Sequence, residues 1–129
     1  MDQAAADEFV HRFAAYWQAP RPGDLHRVLA EDVRLVTPRM PTTDGLAAAV
    51  ESFTGLFELI PDLTGQVHRW GPHQDGVYIE FTLSGTVNGN PVSWRAIDAF
   101  DVGDDGLATK RVSFFDPTAI VDAASGAVV

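Results

Sequence analysis

Val77-Tyr78-Ile79-Glu80-Phe81-Thr82-Leu83-Ser84-Gly85-Thr86-Val87, then Asn88-Gly89-Asn90, then Val92-Ser93-Trp94-Arg95-Ala96-Ile97-Asp98-Ala99-Phe100-Asp101-Val102, is the stretch that decides the fold. Each long run alternates with a period of two, so each reads as a strand with one face buried. Asn and Gly tolerate the positive backbone angles of a tight hairpin turn, which makes Asn88-Gly89 a hairpin signal between them. In the first run Ile79, Phe81, Leu83 and Gly85 form the apolar face and Glu80 points out. In the second, Trp94, Ala96, Asp98 and Phe100 carry two large aromatics, whereas Arg95, Ile97, Ala99 and Asp101 carry two charges, so the first set belongs inside. Asp98 goes in with it.

Working outward, Leu63 to Trp70 and Leu107 to Phe115 read as further strands, and Gly103-Asp104-Asp105-Gly106 as a second hairpin turn. If that hairpin pairs symmetrically about Asp104 and Asp105, Asp98 lies opposite Arg111. Alternation leaves both faces of the last strand open, Arg111, Ser113 and Phe115 on one and Lys110, Val112 and Phe114 on the other. In Leu63 to Trp70 the set Gln66, His68 and Trp70 is placed inside. Before Pro61 the chain reads as helical. Phe9, Phe13, Tyr16 and Trp17 recur at steps of three and four up to Pro20, Asp24 caps a short second helix, and Val33 to Thr37 alternates as a strand. A third helix, beginning near Asp44, carries Leu46, Val50, Phe53, Phe57 and Ile60. Helices first and a meander of strands after them predict one α+β domain over residues 1–129, with three N-terminal helices packed on a curved antiparallel or mixed sheet. Thr118 to Ala123 reads as a short helix, and the end beyond it as disordered.

The chain has 129 residues, 46% of them hydrophobic, enough for one core. Eighteen acidic against nine basic residues give a net charge of −9, a field that repels nucleic acid and anionic membranes. The absence of cysteine excludes disulfides, thiolate nucleophiles and Cys-ligated zinc. No basic start with an apolar run and no membrane-length apolar stretch is found, so the reading is a soluble, cytoplasmic protein. His11, His26, His68 and His73 have no metal-ligand spacing, and no phosphate loop, dinucleotide fingerprint or nucleophile elbow is present. No metal and no cofactor is expected.

The order of elements, with Gly23-Asp24-Leu25 between the first two helices and Asp32-Val33 after the second, resembles the nuclear-transport-factor-2-like superfamily over nearly the whole chain. Within it, Ala96-Ile97-Asp98-Ala99-Phe100, an acidic Gly-containing turn and Lys110-Arg111-Val112 are similar to ketosteroid isomerases and SnoaL-like polyketide cyclases. The resemblance implies a cone enclosing one pocket, a homodimer, and a role for Asp98 as the carboxylic acid that meets a developing enolate oxygen. The tyrosine that shares that duty falls on Phe13 and the aspartate base on Thr37, and neither can do those jobs. The last-strand carboxylate of limonene-epoxide-hydrolase-like members falls on Ser113. The SnoaL-like group fits best, with one acid in an apolar pocket supporting an intramolecular ring closure.

Asp98 is therefore the leading catalytic candidate, as general acid/base or as the partner of an Arg111 ion pair that would hold it ionised. His68 is a second candidate proton carrier, because histidine is the side chain suited to moving protons near neutrality, with a structural role as the alternative. Phe13, Trp17, Thr37, Phe53, Phe57, Gln66, Trp70, Phe81, Trp94, Phe100, Arg111, Ser113 and Phe115 are the expected substrate-binding set, their aromatic members able to wall a pocket for a flat hydrophobic molecule. The function expected is a cofactor-independent cyclase or isomerase acting on a hydrophobic carbonyl compound. The alternatives are a non-catalytic binding or accessory domain, or a dimerisation module using Tyr78, Thr82, Arg95 and Ile97.

Overall fold

The computed structural model describes residues 1–125. The chain runs α1 (Gln3–Gln18), a 3₁₀ turn (Pro22–Arg27), β1 (Leu29–Val36), β2 (Thr43–Asp44), α2 (Leu46–Leu59), β3 (Thr64–His73), β4 (Gly76–Val87), β5 (Asn90–Val102), β6 (Ala108–Phe114) and α3 (Thr118–Ser125). Asn88 and Gly89 both have positive φ, 51° and 80°, and Val87 pairs with Asn90 across them, the two-residue hairpin their backbone tolerance allows.

The six strands lie in the order β2-β1-β6-β5-β4-β3. Neighbours are antiparallel except β1 and β6, which run parallel. This is the α+β architecture expected, a mixed open sheet with helices on one face. Val77, Ile79, Phe81 and Leu83 are buried on β4 and Trp94, Ala96, Asp98 and Phe100 on β5, as alternation predicts.

The helices follow their signals with one exception. The Asp2 side chain caps α1 by accepting from the Ala5 N–H at 2.8 Å. The inner face of α1 then meets the sheet through edge-on rings, Phe9 to Phe100 and Phe13 to Phe81 at centroid distances of 5.0 Å. α2 begins after Gly45, whose φ of 92° suits glycine, and whose N–H donates to Val33 O at 2.7 Å. The exception is the expected second helix, which is a 3₁₀ turn with Asp24 inside its first turn rather than capping it. Between Pro22 and the strand beginning at Leu29 there is no room for an α-helix of useful length. α3 runs to Ser125, so Ala124 and Ser125, expected in the disordered end beyond Ala123, are its last helical residues; the rest of that end, residues 126–129, lies outside the described residues.

Two irregularities re-aim side chains. In β3 the register shifts between Val67, opposite Phe81, and Arg69, opposite Glu80, so His68 is an extra residue and alternation changes phase there. Val67 and Trp70 consequently pack against the core, while Gln66 and His68 are exposed on the outer face. The inward placement of Gln66 and His68 is therefore corrected, and that of Trp70 stands. In the second hairpin Gly106 N bonds Gly103 O and Gly103 N bonds Leu107 O, both at 2.9 Å, with Gly106 at φ 81°. The turn thus takes one residue more than the symmetric arrangement, and a further shift follows between Asp101 and Val102. Asp98 lies opposite Ser113 and Phe100 opposite Arg111, not Asp98 opposite Arg111. Because two one-residue shifts make an even total, Asp98, Arg111 and Ser113 still share the inner face.

No helix among the described residues is long and apolar enough to cross a membrane. Gly85 on β4 marks where the end of α2 presses on the sheet: a Cβ there would overlap the buried Ile60 Cγ2 and come within 3.3 Å of Leu63 Cα. Gly85→Ala is expected to cost about 1–3 kcal/mol of stability, as overpacking a rigid site does, read from the shift of the urea unfolding midpoint at unchanged slope.

Candidate functional site

Between α2, α3 and the inner face of the sheet lies a cavity of about 500 Å³, within the size range of small-molecule sites. Its inner wall is formed by Trp17, Leu35, Phe81 and Leu83, and its polar floor by Asp98, Arg111 and Ser113. Phe53 and Leu56 of α2 face Trp94 and Phe115 across it, the last two rings 6.3 Å apart. Met40, Leu59 and Val121 also line it and are exposed, which marks them as the rim. A second chamber of about 20 Å³, room for one water-sized guest, is walled by Phe13, Tyr16, Leu25 and Phe100 and shares Asp98 and Arg111 with the first.

Asp98 is 3% exposed, set between Ile79 and Ser113 on the neighbouring strands. Its Oδ1 is buried without a hydrogen-bond partner. Burial raises its pKa, against the opposing pull of the Arg111 charge and the Ser113 hydroxyl. The expected ion-pair alternative is not realised as a contact: the ion pairs among the described residues, all with N···O within 4.0 Å, lie elsewhere. Arg111 instead donates from Nη2 to Thr37 Oγ1 at 2.6 Å, and its Nε is buried and unpartnered. Burial pushes the Arg111 pKa down while the Asp98 charge pulls it up. The parallel β1–β6 pairing, with Leu35 opposite Arg111, is what brings Thr37 to that side chain.

Of the residues expected at the site, Trp17, Thr37, Phe53, Phe81, Trp94, Asp98, Arg111, Ser113 and Phe115 line the cavity, and Phe13 and Phe100 line the small chamber. Phe57 stacks at 6.2 Å on Trp17 behind the wall, and Trp70 belongs to the packing under α1. Gln66 and His68 face away, the His68 ring bonded through Nε2 to Thr82 Oγ1 at 2.6 Å.

Sequence reasoning passed over Tyr16, Arg39, Met40, Leu56, Ile120 and Val121. Tyr16 was legible only as part of an aromatic stripe, yet its hydroxyl is buried without a partner and burial raises its pKa. Arg39 and Met40 sit in the Pro38–Pro41 loop, where no periodicity exists to read, and Arg39 has φ 60°, an uncommon backbone for a side-chain-bearing residue.

A helix-covered open sheet with one deep apolar cavity and a buried acid on its floor defines a cone of the nuclear-transport-factor-2 type. The SnoaL-like domain matches residues 10–111, and the chain belongs to that family. Among solved structures it is similar to a candidate SnoaL-like polyketide cyclase from Jannaschia sp. CCS1, at 20% identity and TM-score 0.82 over 97% of each chain. It is similar also to a protein with a ketosteroid isomerase-like fold from Catenulispora acidiphila, crystallised with trimethylamine, at 17% identity and TM-score 0.80 over 92% of each chain. TerC co-crystallised with polyporic acid is a third, at 16% identity and TM-score 0.82 over 94% of this chain and 98% of that one. At these identities the likeness is one of fold. No curated protein matches the sequence.

A carboxyl whose folded pKa is raised holds its proton better folded than unfolded, so its stabilising effect is complete below the ordinary Asp range and is lost as pH rises from there to the raised value. Asp98→Asn removes that loss. The variant is expected to melt above wild type at pH 7, with the gap closing towards pH 4, measured by thermal unfolding across pH; an unchanged gap would show that Asp98 does not titrate abnormally.

Proposed function

We propose that the protein is a cofactor-independent cyclase or isomerase of an apolar, carbonyl-bearing, polyketide-like small molecule, with Asp98 as its acid/base group. The observation that carries this is the buried Asp98 carboxyl, one oxygen unbonded, on the floor of a cavity walled by aromatic and aliphatic side chains. Membership of the SnoaL-like family supports it, and TerC, with polyporic acid, is a case of a small organic ligand on this fold.

Ionised Asp98 takes a proton from the carbon beside a carbonyl, and its raised pKa makes it the stronger base for that step. The enolate carbon then adds to a second carbonyl of the same molecule, forming one carbon–carbon bond. The proton held on Asp98 passes to the new alkoxide, so no oxidant or reductant is consumed. In an isomerisation the proton returns to a different carbon. The apolar walls keep water from competing for it.

A reading without chemistry, a binding domain that returns its ligand unchanged, is favoured by one observation: Thr37, where the base of ketosteroid isomerases falls, accepts a hydrogen bond from Arg111. Solvent deuterium exchange separates the two. Wild type is expected to accelerate exchange at the α-carbon of a bicyclic ketone such as 2-tetralone, and Asp98→Asn to lose about 10²- to 10⁴-fold of that acceleration. Exchange at wild-type rate in a folded Asp98→Asn would remove Asp98 from the chemistry, and binding without exchange by wild type would leave the passive reading.

The partner we infer is a second copy of the chain, acting in the cytoplasm. On the outer face of the sheet Tyr78, Ile97 and Phe114 are exposed, with Ile97 directly opposite Phe114. Beside them Glu80 lies between Arg69 and Arg95, a mixed-charge row that a two-fold-related copy can meet with its own. Ile97→Asp is expected to convert a dimer to a monomer in size-exclusion chromatography with light scattering, and a monomeric wild type would dismiss this interface.

A further inference from the structure

We propose that Arg111 makes the cavity selective for ligands bearing an ionised oxygen, an enolate or phenolate, on an apolar ring body. The proposal rests on the reading of this cavity as a ligand site, and not on whether Asp98 performs chemistry there.

A guanidinium keeps its proton inside proteins and offers five N–H donors in a rigid fork. Most arginines of this chain that form ion pairs do so on the surface: Arg27 with Asp24, Arg34 with Asp44, Arg69 and Arg95 with Glu80. Arg111 is different. It lies in the cavity wall, and among the described residues its hydrogen bond goes to a neutral hydroxyl, Thr37 Oγ1. Among the described residues no carboxylate lies within ion-pair distance of it, although a buried cation is costly unless paired. The carboxyl that shares its wall is Asp98, and burial favours the neutral form of that acid. Arg39 lines the same cavity nearer its mouth. Two guanidiniums against one carboxyl among the described lining residues make the interior positive inside a protein of net charge −9, and low-dielectric walls concentrate such a field.

The unpartnered atoms tell the same story. Arg111 Nε and Trp94 Nε1 are both buried without a hydrogen-bond partner, both belong to residues that line the cavity, and both are donors only. An ionised oxygen on a guest is an acceptor for the guanidinium N–H donors of Arg111, and a bond of that kind is charge-assisted. The ring body has Trp17, Phe53 and Phe115 to lie against.

The test is binding of 4-hydroxycoumarin, an enol ionised at neutral pH, against its neutral ether 4-methoxycoumarin, followed by quenching of the cavity tryptophans Trp17 and Trp94. Wild type is expected to favour the anion by about tenfold or more, the scale of a charge-assisted hydrogen bond. Arg111→Met should erase the preference while still binding the ether, and Asp98→Asn should keep it. Equal affinities in wild type, a preference that survives Arg111→Met, or no saturable binding of either probe overturns the proposal.

Should Arg111→Met fail to fold, the absorbance of bound 4-hydroxycoumarin on wild type decides. The charged residues lining the cavity are Asp98, Arg39 and Arg111, with Tyr16 in the chamber behind. A cation in reach lowers the titration point of the bound enol below its value in water, whereas an apolar site without one raises it, and the second result refutes the assignment. Failure of the deuterium exchange with the anion preference intact would end the acid/base reading alone. Loss of the preference with exchange intact would end this one alone.

Discussion

A carboxyl and a guanidinium occupy one wall of a cavity without closing on each other, and the surrounding architecture keeps them so. Asp98 is fixed by β5, whose inner face it shares with Trp94, Ala96 and Phe100, and Arg111 by β6, tethered sideways to Thr37 of the segment leaving β1. Had the second hairpin been two residues tighter, the two side chains would stand directly across the ladder and could pair. The longer turn at Gly106 and the shift between Asp101 and Val102 move Ser113 into that place instead. A closed pair would hold Asp98 ionised and occupy the fork of Arg111. The offset leaves Asp98 Oδ1 and Arg111 Nε without a hydrogen-bond partner.

That freedom opposes stability. A buried carboxyl with an unbonded oxygen, a guanidinium with an idle Nε, a Trp94 N–H and a Tyr16 hydroxyl without partners are each unfavourable next to water. The aromatic packing of α1 on the sheet, where Phe13 meets Phe81 and Phe100 edge-on at 5.0 and 5.5 Å, offsets them on the same inner face. Core and cavity share residues: Trp17 and Phe81 belong to both.

Much of this was legible in the sequence because β4 and β5 alternate over their full lengths and Asn88-Gly89 fixes their register. The inward placement of Asp98 followed from counting aromatics against charges on two faces. The neighbouring strands were harder. A single extra residue at His68 changes phase midway along β3, and no composition signal announces a bulge, so Gln66 and His68 were placed on the wrong side while Trp70 was not. The β6 partner of Asp98 was misassigned for the same kind of reason, although the face survived because two shifts cancel in parity. The parallel meeting of β1 with β6, which delivers Thr37 to Arg111, joins segments distant in sequence and leaves no local trace. The rim at Met40 and Val121 lies in a loop and a terminal helix whose periodicity says nothing about what they overhang.

The Thr37–Arg111 bond has a kinetic side as well. It spans 74 positions of the chain, whereas β3 to β6 are joined by short turns and pair in sequence order. Local pairings form with little loop-closure penalty, and distant ones must wait until entropy has been spent on bringing the ends together. The meander can therefore organise before β1 docks along β6, and only then does the cavity acquire Leu35 and the Thr37 contact to Arg111. Folding and the capacity to hold a guest become complete in the same event, so a ligand that fits this cavity acts on the last step of assembly and draws the chain through it by mass action.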